Sequence, residues 1–142
     1  MPVTIQELFV TNTWRVEISG MTIGVFTRCS GLAVELDVLE YAEGGNNDMI
    51  HHLPGRIRYG NLTLSRGLTD EKALVDWFWK THSQADKKEV TVTLEQGGGT
   101  LTRAWTFADA YPVRWSGPDL DAGMGDVAGE TLEIAHSGLQ QV

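Results

Sequence analysis

Residues 29–67 read CSGLAVELDVLEYAEGGNNDMIHHLPGRIRYGNLTLSRG. Val34, Leu36 and Val38 alternate with Glu35 and Asp37 up to a kink at Leu39, and Leu62 and Leu64 alternate within Asn61-Leu62-Thr63-Leu64-Ser65. This two-residue period is that of half-buried strands. Between them, Glu43 to Arg58 breaks the pattern with Gly44-Gly45-Asn46-Asn47-Asp48 and the turn signal Leu53-Pro54-Gly55. A loop of that length without structure of its own is uncommon in a compact domain and is usually functional or mobile. The stretch therefore predicts two strands bracketing a polar excursion at about 43–58, inserted between strands and not between domains.

Working outward, the same period recurs. Trp14, Val16 and Ile18 alternate with Arg15 and Glu17, and Ile23 and Val25 follow, which predicts a hairpin around Ser19 to Met21. Val90, Val92 and Leu94 alternate up to Gly97-Gly98-Gly99, and Leu101, Arg103, Trp105 and Phe107 continue beyond it as a second hairpin. Ala108 to Trp115 carries Pro112, which suits an edge or a bulge. Glu130 to His136, with Leu132 and Ile134 on one face, is the last strand, and the Gly- and Asp-bearing 116–129 segment reads as a surface loop.

One segment has helical spacing. Thr69 or Asp70 can cap it, Asp70 and Glu71 suit the positive end of its dipole, and Leu74, Trp77 and Phe78 fall at i, i+3 and i+4. Val75 and Trp79 widen the stripe, so the Trp77-Phe78-Trp79 cluster is read as packing on the sheet and not as a ligand box. The expected fold is mainly β, a sandwich or barrel of two antiparallel sheets of about seven strands with one short α-helix, over a single domain spanning 1–142. Trp14, Trp77, Phe78, Trp105, Phe107, Leu132 and Ile134 are its expected core.

Composition bounds the function. At 142 residues the chain can bury a core without staples. Lys plus Arg is 11 against 19 for Asp plus Glu, a net charge of -8, and the longest basic cluster is Lys87-Lys88. Displacing counterions from phosphates requires clustered cations, so direct nucleic-acid recognition is disfavoured. The single Cys29 cannot form an internal disulfide, the N-terminus lacks the basic start and apolar run of a secretion signal, and no run approaches a membrane span.

Motifs that could carry chemistry fail on context. Gly123-Met124-Gly125-Asp126-Val127-Ala128 matches the G-x-G-x-x-A fingerprint, but a dinucleotide site needs a strand before it and a helix after it, and here alternating residues follow. His51-His52 beside Asp48 suggests a metal, yet neighbours in an extended chain point to opposite sides and no third ligand has the right spacing. Cys29 follows Arg28, which could activate a thiol, but no nucleophile elbow accompanies it and buried cysteines are ordinary. His136, ending the last strand, is read as a hydrogen-bonded structural group. No catalytic residue, metal or cofactor is expected.

Five segments, taken in order, resemble the inner tube proteins of phage tails and contractile injection systems, the T4-like tail tube proteins and their Hcp-like fold. They are Cys29-Ser30-Gly31-Leu32; Glu40 to Asn46 with Leu53-Pro54-Gly55; Asn61 to Leu68 running into the helix that carries Trp77; Trp105 to Pro112; and Glu130 to Leu139. The resemblance covers nearly the whole chain and implies a structural, non-enzymatic subunit: hexameric rings stacked into a hollow tube inside a contractile sheath, delivering cargo through a target envelope.

The implied partners are the chain itself, a sheath protein, baseplate or hub and tube-terminating proteins, and effector cargo in the lumen. The implied place is a phage tail-like particle, a virion or an injection particle, assembled in the cytoplasm. Glu43, Gly44, Gly45, Asn46, Asn47, Asp48, His51, His52, Arg56 and Arg58 are the expected inter-ring contacts, because a polar excursion with both charge signs can pair with a neighbouring ring. A phage tail tube is a close variant of this reading. From another class, a small β-barrel module binding a ligand or a protein stays open, and an enzyme is a third reading.

Overall fold

The alternating segments form β1 (Trp14–Ile18), β2 (Arg28–Ser30), β3 (Val34–Ala42), β4 (Ile50–Tyr59), β5 (Leu62–Gly67), α1 (Ala73–Ser83), β6 (Lys88–Gln96), β7 (Leu101–Ser116), β8 (Gly129–Ala135) and β9 (Gly138–Gln141). The computed structural model of the chain describes residues 8–9, 11, 13–21, 25–42, 50–96, 98–99, 101–123 and 125–141. Seven strands make one antiparallel sheet in the order β1-β6-β7-β8-β5-β2, with β9 also on β7, while β3 and β4 make a separate two-stranded ribbon. The fold is mainly strand in two antiparallel sheets with one short helix, and it is not a closed barrel.

The long strand β7 organises the larger sheet. Its residues 101–110 pair with β6, 105–108 also pair with β9, and 111–116 pair with β8. The change of partner falls at Asp109, whose φ of 51° is left-handed, a region Asp tolerates better than most residues. Ser137 holds this corner: its N–H donates to Ala108 O at 2.9 Å, and its hydroxyl donates to Ala108 O at 3.2 Å and to Asp109 Oδ2 at 3.1 Å. A register shift between Pro112 and Arg114 follows, so the proline sits at a bulge.

The core lies where the bent sheet and the helix meet. Leu62 opposite Ile134 and Leu64 opposite Leu132 join β5 to β8, and Val90 opposite Phe107 joins β6 to β7. These six side chains are buried, with Leu74 and Trp77 of α1 set against them. Trp14 and Trp105 pack half-buried at the margin of this cluster. Phe78 is half-buried and stands outside it, edge-on to Trp79 at 5.6 Å. Trp79 is 59% exposed and does not extend the packed stripe. The five apolar residues cover more of the helix than one sheet contact can bury, and Trp79 falls on the far side.

A buried ion pair ties the helix to the sheet. Arg66 and Glu130 are each nearly inaccessible, with Arg66 Nε donating to Glu130 Oε1 at 2.5 Å. The other Glu130 oxygen accepts from Trp115 Nε1 at 3.0 Å, and a terminal Arg66 nitrogen pairs with Glu71 Oε2 at 2.9 Å. Glu71 also accepts the Ala73 N–H, so it satisfies a donor of the first helical turn. Lys72 occupies the cap position without a side-chain bond, and Thr69 and Asp70 do not cap the helix. Burial alone would lower the Arg66 pKa, but the hydrogen bonds it donates to Glu130 and Glu71 outweigh it and raise it, so the guanidinium keeps its charge.

Four strands depart from the sequence reading. β1 pairs with β6; of the segment expected to form a hairpin with it, Ile23 lies outside the described residues, and Val25 is exposed and outside any strand. Residues 50–58, expected as loop, belong to β4. β2 and β9 are three- and four-residue strands added at the margins of the sheet.

Two outcomes test this architecture. Gly31 has φ +97° and a Cβ there would fall 2.0 Å from Asn61 O, so Gly31→Ala is expected to cost at least about 1–3 kcal/mol in urea unfolding. Glu130→Ala leaves a buried guanidinium uncompensated and is expected to cost about 3–5 kcal/mol. A midpoint unchanged in either variant contradicts the corresponding contact.

Candidate assembly interface

The ribbon is built from two strands that alternate without a core to face. Val34 lies opposite Tyr59, Glu35 opposite Arg58, Leu36 opposite Ile57, Leu39 opposite Leu53 and Glu40 opposite His52, with a register shift between Leu36 and Val38. The extra residue on β4 falls at Gly55, where a Cβ would meet Asp37 O at 3.0 Å and Leu39 Cγ at 3.2 Å. The Pro54-Gly55 pair is thus a bulge within a strand. Arg58 Nε and Asp37 Oδ1 close the same place with an ion pair at 3.0 Å.

Both faces of the ribbon show apolar surface. Val34, Leu36, Val38, Leu39, Leu53 and Ile57 are 49–61% exposed. An isolated two-stranded ribbon is marginal in water, and contiguous exposed apolar side chains mark an interaction site. Of the residues expected to make inter-ring contacts, Glu43, Gly44, Gly45, Asn46, Asn47 and Asp48 lie outside the described residues. His51 and His52 are adjacent in β4, with His52 exposed; Arg56 and Arg58 are exposed further along it. The sequence reading singled out the polar residues of this segment and missed the apolar ones, although Val34, Leu36 and Val38 were visible as a period-two run.

Among the described residues the larger sheet ends at β1 and β2, each with one neighbouring strand. Glu95 N–H donates to Thr13 O and Ser19 N–H donates to Glu89 O, each at 2.9 Å. The odd-numbered residues of β1 therefore bond to β6, and the backbone groups of Trp14 and Val16 point away from the sheet, while Ile18 O accepts the Met21 N–H at 3.0 Å. Beside this edge a cleft of about 350 Å³ is lined by Trp14, Cys29, Leu32, Leu94 and Trp105 among others. Cys29 is half-buried there, and burial pushes its thiol from 9.0 to about 11, opposite to the activation that Arg28 could have supplied.

The remaining candidates are structural. His136 Nε2 bonds Gly60 O at 3.0 Å, and its ring meets Phe107 at 4.7 Å between centroids. The G-x-G-x-x-A match falls in the loop between β7 and β8 and leads into a strand, not a helix. Among the described residues no three His, Cys, Asp or Glu side chains are grouped to hold a metal, and no helix is long and apolar enough to cross a membrane.

Residues 10–140 match the family model of the T4-like virus tail tube protein gp19. A chain of the anti-feeding prophage cap (AFP tube terminating cap) superposes with a TM-score of 0.87 at 25% identity, covering 99% of this chain and 95% of that one. A chain of the PVC sheath-tube complex of an extracellular contractile injection system, in its extended state, gives 0.84 at 25% identity, covering 95% and 91%. Hcp1 from Flavobacterium johnsoniae, at 16% identity with a TM-score of 0.54 over 90% of this chain and 93% of that one, shares the fold. No curated protein matches the sequence.

The Cys29 environment can be read by alkylation. The thiolate is the reactive form, so modification of the folded protein should rise with pH to half its maximal rate near about 11, against 9.0 for the unfolded chain in urea. Because the folded pKa is raised, the associated stability is complete below 9.0 and is lost as pH rises through about 11. A half-maximal rate at or below 9.0 in the folded protein contradicts the burial of this thiol.

Proposed function

The chain belongs to the T4-like virus tail tube protein gp19 family, and from that premise we propose how it builds a tube. It is a tail tube protein of the contractile injection system kind, a component of a phage tail-like contractile particle. In the proposed assembly six copies close a ring through their sheet edges, and rings stack through the β3–β4 ribbon. A head-to-tail interface closes when its rotation closes, whereas an axial interface does not and makes a filament. The outward backbone groups of Trp14 and Val16, unpaired among the described residues, supply the proposed lateral hydrogen bonds at the β1 edge.

The observation that carries this reading is the ribbon's exposed apolar surface. Its six half-exposed side chains are worth about 1 kcal/mol each when fully covered, about 6 kcal/mol together. Association costs about 4–15 kcal/mol, so one ribbon does not hold two copies together. A ring presents six ribbons at once, and their joint engagement overcomes the cost. The proposed work is mechanical: the tube is driven through a target envelope and carries effector cargo, with no reaction performed by this chain. Sheath, baseplate or hub and tube-terminating proteins are the proposed partners, and the cytoplasm is the proposed place of assembly.

Negative-stain microscopy and light scattering across a concentration series test the proposal. Rings and hollow rods are expected above a threshold concentration; a monodisperse lone particle throughout overturns it. Val38→Glu with Leu53→Glu places charge on exposed ribbon positions, so unfolding should stay within about 0.5 kcal/mol of the parent while rods are lost. Normal rods from that variant would remove the ribbon from the axial contact.

A further inference from the structure

All four lysines of the chain, Lys72, Lys80, Lys87 and Lys88, fall within residues 72–88. Against Asp76 and Asp86 they give that segment a net charge of +2, whereas the rest of the chain carries seven arginines against seventeen acids, a net of -10. The segment is α1 and the turn that follows it. Helical spacing places Lys72, Asp76, Trp79, Lys80 and Ser83 on one face, and all five are exposed. Trp79 stands 59% exposed at its centre, edge-on to Phe78 and His82. Exposed Trp beside cations is the composition of an interface anchor.

The loop at 117–128, between β7 and β8, has the opposite character. Asp119, Asp121 and Asp126 are exposed, and Leu120 and Val127 are 88% and 92% exposed. Among the described residues none of these three aspartates makes an ion pair; Asp121 accepts only the Gly123 N–H, at 2.9 Å. Several carboxylates elsewhere are engaged: Glu17 and Glu95 with Arg15, Asp37 with Arg58, Glu71 and Glu130 with Arg66, Asp86 with Lys80 and Lys88. No other described segment joins three unpaired carboxylates to two nearly bare apolar side chains.

We propose that the outward face of α1 docks on the 117–128 loop of a second copy of this chain. Trp79 packs on Leu120 and Val127, and Lys72 and Lys80 face the aspartates. The two patches differ, so the contact is heterologous and passes from copy to copy around a ring. The inference rests on the tube-subunit reading and names a side-by-side contact for it, distinct from the ribbon. The basic face of α1 also offsets the repulsion that copies of net charge -8 exert on each other.

Charge reversal on each side tests it with the full chain. Lys72→Glu/Lys80→Glu and Asp119→Lys/Asp126→Lys should each raise the threshold concentration for rings roughly tenfold or more while far-UV dichroism and thermal unfolding stay unchanged. The two variants mixed in equal amounts should assemble again, because each reversed helix then meets a reversed loop, and a chain carrying all four substitutions should assemble alone. Trp79→Ser should weaken assembly at any salt, whereas the parent should weaken as salt rises from about 0.1 to 1 M and the Debye length falls from about 10 to 3 Å.

Parent-level assembly by either reversed variant, or failure of both the mixture and the four-fold variant, overturns the pairing while the tube-subunit reading stands. Intact rings that no longer take up sheath protein after the lysine reversal overturn it in favour of a sheath contact. A parent chain that forms no rings at all refutes the reading beneath it instead.

Discussion

The fold depends on one strand belonging to two ladders. β7 gives its first ten residues to β6 and β9 and its last six to β8, so the two halves of the sheet cannot shift relative to each other without breaking backbone hydrogen bonds. The change of partner needs a residue with positive φ at the corner, and Asp109 fills it with Ser137 bonded beneath. Because a one-residue slip in a strand turns its whole apolar set outward, this corner also fixes which side chains of β6 and β8 reach Phe107 and Leu132. The core is a consequence of that register.

The helix is held by electrostatics as well as by packing. Leu74 and Trp77 supply the apolar contact, but its first turn is fixed through Glu71 to Arg66, and through Arg66 to Glu130 and Trp115. One guanidinium therefore joins β5, β8, the end of β7 and the start of α1. A buried pair is weak support for net stability against an apolar substitute, yet it is strong support for one arrangement, because no alternative docking of the helix pairs both carboxylates. That rigidity sets where the outward face with Trp79 and Lys80 points.

Most of the strands were legible in the sequence because their period is local. Val90, Val92, Leu132 and Ile134 alternate plainly, and Gly97 to Gly99 mark the β6–β7 turn. What could not be read was pairing at a distance. Nothing in Trp14 to Ile18 says that its partner is β6, some seventy residues on, and not the next apolar segment. The ribbon was half legible for a related reason. Pro54-Gly55 signals a turn in isolation, but opposite Asp37 it is accommodated as a bulge and the strand continues. The candidate surface was legible only in its polar residues, because the exposure of Leu36, Leu53 and Ile57 is visible only once the ribbon is known to stand off the core.

Stability and the proposed association draw on different parts of this chain. Among the described residues most buried apolar side chains belong to the seven-stranded sheet and α1, while the ribbon and the 117–128 loop hold eight of the fourteen large apolar side chains that are exposed. A substitution in the first set costs folding, and one in the second leaves folding alone. The separation lets a subunit fold before it meets a partner, and the acidic balance keeps folded copies apart at low concentration. In the proposed tube each single contact is too weak to overcome the entropy of association, so growth is expected only where several form together, as on a ring already closed. Weak, repeated contacts around a rigid core are what a tube requires if it is to start at one place and lengthen in one direction.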